Sequence, residues 1–220
     1  MPKTISVGRS IFANNDEVAG ENRRRLDTAG VLAINVMASP GAGKTSLILA
    51  TARALSGRLR CGVVEGDIAG DIDARLAEEA GLPAVQINTG GACHLRAAML
   101  AEALGELPLG QIDLLFIENV GNLVCPAGVL LGERLRVVVS STPEGHDKPL
   151  KYPAAFRQAD AVVISKCEIA DYVTFDSGTY EAYLRQLSSV VPLFRLSART
   201  GEGMSEWVLW LEEQRRRHGA

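Results

Sequence analysis

From residue 30 onward, short apolar runs alternate with amphipathic stretches. The runs are Val31–Met37, Cys61–Val64, Ala84–Ile87, Ile112–Ile117, Leu135–Val139, Ala161–Ile164 and Pro192–Leu196. Most are apolar on both sides of the strand alternation, the pattern of parallel strands buried on both faces. Helix-like stretches lie between them: Gly43–Leu55, Asp71–Ala80 ended by Gly81, Cys93–Leu104, Tyr180–Ser188 and Met204–Arg217. A glycine just past the last helical residue is a common stop, because it adopts the left-handed conformation at no steric cost. This alternation predicts an α/β fold: a three-layer, doubly wound, mostly parallel sheet flanked by helices. Residues 1–30 read differently. Asn14-Asn15-Asp16 supplies an N-cap for a polar helix over Glu17–Thr28, preceded by a short strand or extended arm. Arg23-Arg24-Arg25 reads as a solvated helix face. The expected organisation is an N-terminal arm and helix (1–30) packed on a main domain (31–220), with no internal repeat and no boundary that splits the chain.

The first predicted strand runs into Ala38-Ser39-Pro40-Gly41-Ala42-Gly43-Lys44-Thr45, and a helix follows at Ser46. This matches the phosphate-binding loop G-x-x-x-x-G-K-S/T except that Ala38 stands where the first glycine is expected. Gly41 and Gly43 allow the tight turn that aims backbone N–H groups at phosphate oxygens, and the helix N-terminus adds partial positive charge. Pro40, Ala42 and Ser46 complete the cradle. Lys44 is placed to neutralise β- and γ-phosphates, and the Thr45 hydroxyl to ligate Mg²⁺. Carboxylates for that ion are offered by Asp67, after the second strand, and Glu118, at the end of the strongest apolar strand. Ligands of open α/β sheets gather at such strand ends. Glu118-Asn119-Val120-Gly121 also resembles the D-x-x-G element of GTPases, in which the glycine N–H contacts the γ-phosphate. Lys44, Asp67 and Glu118 are therefore the candidate catalytic residues. Asp71 and Asp73 read either as helix N-terminal charges or as part of a first switch.

Guanine readers of this class carry N-K-x-D after a late strand. Here Ser165-Lys166-Cys167-Glu168 occupies that place. Lys166 can lie over a base, and Glu168 keeps the carboxylate with one more methylene. Ser197-Ala198-Arg199 looks like the accessory element whose backbone faces the base oxygen. A second cluster is softer in character. Cys93-His94 is expected to open a helix, and Cys125 lies seven residues beyond Glu118. Two thiols and an imidazole suit Ni²⁺ or Zn²⁺. Three ligands leave a tetrahedral site one short, which a symmetric dimer can make good by pooling two sets. Cys61 reads as packing and Cys167 as incidental.

Composition excludes several alternatives. The 220 residues carry 23 Lys+Arg against 26 Asp+Glu, a net charge of −3, so no basic nucleic-acid footprint is present. Aromatics at 5% leave little for a base-stacking platform. No apolar run reaches the ~20 residues that span a bilayer, and Met1-Pro2-Lys3-Thr4 opens no signal-peptide core. Four cysteines make no disulfide scaffold. A cytoplasmic protein with reduced thiols is expected.

Taken together, these residues resemble the HypB family, GTPases that aid nickel insertion during maturation of NiFe-hydrogenases. The segments that carry the resemblance are Asn15-Asp16-Glu17, Ala38–Thr45, Glu65-Gly66-Asp67, Cys93-His94-Leu95, Glu118–Pro126 and Pro143–Pro153. The resemblance implies a P-loop NTPase of the SIMIBI class, binding GTP or GDP with Mg²⁺. It implies GTP-dependent homodimerisation coupled to an interface Ni/Zn site at Cys93, His94 and Cys125. It further implies a hydrogenase maturation partner, or the hydrogenase large subunit, as client. Glu144–Lys151 matches a family segment near the nucleotide. The sequence departs from the family at several points. Arg96-Ala97-Ala98 replaces an acid and a second histidine after the Cys-His pair. Gly70 stands where a switch threonine is usual, Ser165 and Glu168 alter the base motif, and no Cys-rich or His-rich nickel tract is found. Three other readings therefore stay open: a metal-binding or assembly module with a nearly dead nucleotide site, a P-loop phosphotransferase, and a urease-type nickel GTPase.

Overall fold

The structure, a computed structural model, describes residues 7–67 and 72–219. The reading of Gly70 and Asp71 as switch residues falls outside them. All seven expected runs form strands: β1 (Leu32–Ala38), β2 (Cys61–Asp67), β3 (Ala84–Asn88), β4 (Leu114–Glu118), β5 (Leu135–Ser141), β6 (Ala161–Ser165) and β7 (Leu193–Arg195). Among the described residues they make one parallel sheet in the order β3-β2-β4-β1-β5-β6-β7. Its carboxyl edge therefore carries, side by side, the turns after β2, β4, β1, β5, β6 and β7.

Side chains of one parity on the strands, among them Ile34, Val36, Phe116 and Val137, pack under α2 (Lys44–Ala54) and α8 (Met204–His218) through Leu47, Ile48, Trp207 and Leu211. The opposite face is covered in two patches. Ala33, Leu115 and Ile117 meet Leu26 of α1 (Val7–Thr28) and Leu100 and Leu104 of α4 (Ala97–Glu106). Met37, Val138 and Val162 meet Phe156 of α6 (Pro153–Arg157) and Tyr180 and Leu184 of α7 (Ser177–Leu187). The three expected layers are present. The remaining α-helices among the described residues are α3 (Ile72–Glu79) and the short α5 (Lys148–Lys151); neither α5 nor α6 is expected from the pattern.

Three local expectations are corrected. First, α1 already runs from Val7, so Asn14-Asn15-Asp16 lies inside the helix and no extended arm precedes Glu17 over residues 7–16; residues 1–6 lie outside the described ones. Asn15 caps a different helix: its Oδ1 accepts the Ala97 N–H at 3.0 Å, at the first residue of α4. Second, the arginine run is not simply solvated. Arg25 donates to the Leu104 carbonyl at 2.8 Å, near the end of α4, and Arg23 to the Gly132 carbonyl at 2.8 Å. Orphan groups at both ends of α4 are thus satisfied from α1. Third, Cys93 and His94 do not open a helix. They stay in the turn after β3, and α4 begins at Ala97.

Asn22 stitches these pieces together. It is buried, and its Nδ2 donates to the Ala97 carbonyl at 2.8 Å and the Leu131 carbonyl at 2.9 Å. Asn22→Ala leaves both carbonyls without this partner. We expect it to lower stability by about 1–3 kcal/mol, read from the urea-denaturation midpoint.

Candidate functional site

The loop 38–45 leaves β1 and enters α2 with Gly41 at φ 73° and Gly43 at φ 92°, backbone that a side chain would strain. Ala38, the departure from the phosphate-loop pattern, is the last residue of β1 and fully buried, so its methyl group packs in the core. Gly121 lies hard against this loop: a Cβ there would meet Pro40 Cγ at 2.9 Å and its Cα at 3.0 Å. The 118–121 turn and the phosphate loop therefore form two walls of one cleft of about 270 Å³. Pro40, Gly41, Lys44, Glu65, Asp67, Asp73 and Glu118 line it.

In this cleft the Thr45 hydroxyl donates to Glu118 Oε1 at 2.9 Å, and Lys44 Nζ stands 3.7 Å from the same oxygen. Glu118 Oε2 is buried with no hydrogen-bond partner. Glu65 matches it: it faces Glu118 in the β2–β4 register and is buried, and its Oε2 is likewise unpartnered. Glu65, Asp73 and Glu118 bring carboxylate oxygens within 4.8 Å of one another. Asp67, the last residue of β2 and not a turn residue beyond it, lines the same cleft outside that trio. Glu65 was not singled out from the sequence. The signal was the parity of β2 against β4, which needs the strand order. Burial, then the neighbouring Glu118 charge, raises the Glu65 carboxyl from 4.5 to about 7. Burial also lifts Glu118 to about 7, against the opposing pull of Lys44 and Thr45.

Across the phosphate loop, a second cleft of about 490 Å³ is lined by Gly43, Ser46, Ser165, Lys166, Glu168, Ala198 and Arg199. Lys166 adopts φ 58°, a left-handed backbone rare for a side-chain residue, and its Nζ donates to the Gly41 carbonyl at 2.7 Å. Glu168 Oε2 is buried and has no partner. Ser165 Oγ donates to the Ala42 carbonyl at 2.6 Å, tying β6 to the phosphate loop. Ser197 is buried, and its Oγ accepts the Thr200 N–H at 3.0 Å, which shapes the turn carrying Ala198. Lys148 reaches the phosphate loop at Ser39 Oγ, 2.9 Å away, with Glu144 Oε1 2.8 Å from its ammonium. The segment that sequence placed only loosely near a nucleotide does touch the loop.

On the far side of the 118–125 turn, donor atoms of Cys93, His94 and Cys125 lie within 4.8 Å of one another. Cys93 Sγ stands 3.5 Å from His94 Nδ1. Hydrogen bonding with the Cys125 thiol holds the Cys93 thiol above its usual range. Burial, then Arg96, lowers the His94 imidazole below 6.5, so it is neutral and free to ligate at pH 7. Cys61 is a buried strand residue, and half-buried Cys167 donates to the Ile164 carbonyl at 3.4 Å; neither joins the cluster.

Comparison with known proteins now decides the family. A model of the nucleotide-binding domain of CobW/HypB/UreG matches residues 32–195. Hydrogenase maturation factor HypB of Azotobacter vinelandii is 45% identical over 213 residues, covering 97% of this chain and 70% of that protein. The chain belongs to the HypB family. Among solved HypB structures, that from Helicobacter pylori in complex with nickel superposes with a TM-score of 0.89 at 38% identity, covering 93% of this chain and 96% of that one. The signal recognition particle receptor FtsY of Elizabethkingia anophelis, at 16% identity and TM-score 0.54, covers 87% of this chain and 69% of that one and shares the fold. Residues 32–195 thus form the nucleotide-binding domain of the HypB family, on a parallel α/β sheet flanked by helices. Among the described residues no helix is long and apolar enough to cross a membrane.

The raised carboxyls of Glu65 and Glu118 make stability depend on pH. Both values lie above the ordinary 4.5, so between about pH 4.5 and 7 the folded chain holds protons that the unfolded chain has released. Raising pH through that window lowers the stability of the nucleotide-free protein. Glu65→Gln keeps a neutral group there and flattens the fall by on the order of 2 kcal/mol, read from urea midpoints at about pH 5 and pH 8.

Proposed function

We propose that the chain is a slow GTPase and nickel metallochaperone of hydrogenase maturation, acting in the cytoplasm as a homodimer. The observation that carries this reading is the shared turn: Glu118, at the phosphate loop, and Cys125, in the thiol cluster, are joined by six residues. A change of nucleotide at one end has a short path to the metal ligands at the other.

For the nucleotide, the loop 40–46 and the start of α2 surround the phosphates with N–H groups and the Lys44 ammonium. Glu168 Oε2, buried without a partner in the adjoining cleft, is suited to accept the N1–H and N2–H donors of guanine, which adenine cannot supply. For magnesium, the residues fit. Glu65 Oε2 and Glu118 Oε2 are unpaired hard oxygen donors in the cleft, and the Thr45 hydroxyl is beside Glu118. Thr45 and Glu118 would hold the ion, with Glu65, Asp67 and Asp73 placed to complete or second its shell. Bound there, Mg²⁺ neutralises charge on the transferring phosphoryl group. Lys44 adds its own charge, and Gly121, pressed on Pro40, brings its N–H to the γ-phosphate side of the cleft.

Nickel is the cargo. Cys93, His94 and Cys125 supply two soft donors and one borderline donor, and a second copy supplies what a four-coordinate site lacks. Val124, 67% exposed next to Cys125, supports a covered face at this turn. The nickel in the Helicobacter pylori relative supports the choice of metal. Hydrolysis shifts the 118–125 turn, opens the cluster and releases the ion to the hydrogenase large subunit or a maturation partner.

Calorimetric titration of GTP, ATP and XTP with Mg²⁺, with and without one equivalent of Ni²⁺ or Zn²⁺, tests this. GTP is expected to bind selectively, with an affinity that shifts with metal, and the same factor must appear in metal affinity. Absence of selective GTP binding overturns the reading in favour of a metal-binding module. Thr45→Ala is expected to lower Mg²⁺-dependent turnover at least 10-fold while leaving Ni²⁺ binding in place. Because the Cys93 thiol is held protonated by its neighbour, binding must displace a proton. Ni²⁺ affinity is therefore expected to rise from about pH 6 to pH 8 in a chelator-competition assay.

A further inference from the structure

The two limbs of the thiol cluster, the 93–95 turn and the 125–131 segment, hang on one buried polar chain. Asn119 is 1% exposed, and both the oxygen and the nitrogen of its side-chain amide are hydrogen-bonded. Its Oδ1 accepts the Leu95 N–H at 3.2 Å and the Val120 N–H at 3.0 Å. Its Nδ2 donates to Asn35 Oδ1, in the middle of β1, at 3.2 Å. Asn35 Nδ2 donates in turn to Glu133 Oε1 at 3.3 Å, and Arg136 Nε donates to that same oxygen at 2.7 Å. Arg136 then holds the carbonyl of Ala127 at 3.0 Å through Nη1 and that of Val129 at 2.8 Å through Nη2. Glu133 Oε2 accepts the N–H groups of Leu131 and Gly132. The chain thus begins two residues from Cys93 and ends two residues from Cys125, and it passes through the residue that follows Glu118.

A second contact binds the same turn to β2. A Cβ on Gly66 would lie 2.7 Å from Leu95 Cδ2, so Leu95 seats on bare backbone between Glu65 and Asp67. The Cys93-His94 turn therefore rests on β2 through Leu95 and on the 118–121 turn through Asn119. Outside the cluster, Asn122 adds a weaker tie at the surface, with Nδ2 3.4 Å from the Cys93 carbonyl.

We propose that Asn119 is a positioning residue: through Leu95 on one side and Asn35, Glu133 and Arg136 on the other, it sets the spacing of Cys93 and His94 against Cys125. Displacement of the 118–121 turn by a γ-phosphate pulls on this amide and changes that spacing. Asn119 supplies none of the cluster's donor atoms, and its amide is turned to protein groups. Each of the network's bonds is buried, so it cannot be exchanged for water without leaving a polar group unpaired. Chains of packed and hydrogen-bonded side chains are one physical route by which coupling passes between two sites. The proposal rests on the reading of Cys93, His94 and Cys125 as the cargo site.

The test uses the full chain and Ni²⁺ alone, by competition with a chromophoric chelator. Each measurement is made without nucleotide, with GDP, and with a non-hydrolysable GTP analogue. Asn119→Ala is expected to lower nucleotide-free Ni²⁺ affinity about 10- to 100-fold, the usual effect of losing a group that orients metal ligands. It is also expected to bring the ratio of affinities in GDP and in the analogue close to one. The thiolate-to-nickel charge-transfer band is expected to shift, which a purely structural loss of stability leaves in place. Asn35→Ala breaks the chain one bond away from both turns and is expected to act in the same direction; it decides the matter if Asn119→Ala does not fold. Ni²⁺ binding that needs Cys93, shown by its loss in Cys93→Ser, yet keeps its affinity, ratio and band in the folded variants overturns the proposal alone. Ni²⁺ binding indifferent to Cys93→Ser overturns the cargo-site reading and the proposal together.

Discussion

The carboxyl edge of the sheet is organised around two buried carboxylates forced to face each other. β4 lies between β2 and β1, and the parallel register sets Glu118 opposite Glu65 on one side and Val36 on the other. Like charges opposite one another on neighbouring strands repel, and burial adds the cost of desolvation. The arrangement is tolerable because burial shifts both carboxyls toward their protonated forms, and because Lys44 and Thr45 stand beside Glu118. The same pair sets two unpartnered carboxylate oxygens beside the phosphate loop, the kind of hard donor that a divalent cation takes. Under the proposed function, what is unfavourable in the nucleotide-free chain would become binding energy for magnesium and triphosphate.

The surroundings of this pair are built from buried polar bonds more than from regular structure. Turns at the carboxyl edge carry the candidate ligands, and turns are ordinarily the mobile part of such a fold. Here they are held from behind. Asn15, Asn22, Arg23 and Arg25 of α1 satisfy backbone groups of α4 and of the 130–132 segment. Glu133 and Arg136 clamp the segment after Cys125. Ser165 and Lys166 fasten the end of β6 to carbonyls of the phosphate loop. The thiol cluster keeps an exposed face while its backbone is anchored in the interior, a combination that suits the proposed cargo site.

The residues of the 38–45 loop, of 165–168, Glu118 and the Cys/His set were legible as candidates in the sequence because each is a short-range pattern. Lys44 and Thr45 follow Gly43 directly; Lys166 and Glu168 follow the apolar run of β6; Cys125 follows Glu118 on a single turn. The strands were legible because a parallel strand buried on both faces needs apolar residues of both parities, a local requirement. The substitutions at Ala38 and Glu168 looked like damage in one dimension. In three dimensions the first methyl packs inside β1, and the second carboxylate keeps an unpaired oxygen buried at the cleft.

What the sequence could not disclose is whatever depends on neighbours far along the chain. Asn15 reads as a cap of its own helix because capping is usually local; it caps α4, 82 residues away. Cys93 and His94 read as a helix start, yet a bond from Leu95 to Asn119 and the seat of Leu95 on Gly66 hold them in a turn. Glu65 reads as a residue on the way to Asp67 until the strand order brings Glu118 beside it. The sequence by itself determined the strands, the phosphate loop and the kinds of donor atom available, since backbone propensity and short motifs act within a few residues. The tertiary structure decided which carboxylates meet, which helix each polar side chain caps and how the thiol turn is tied to the nucleotide turn. Those outcomes depend on strand order and on the pairing of buried polar groups, which exist only once the sheet is assembled.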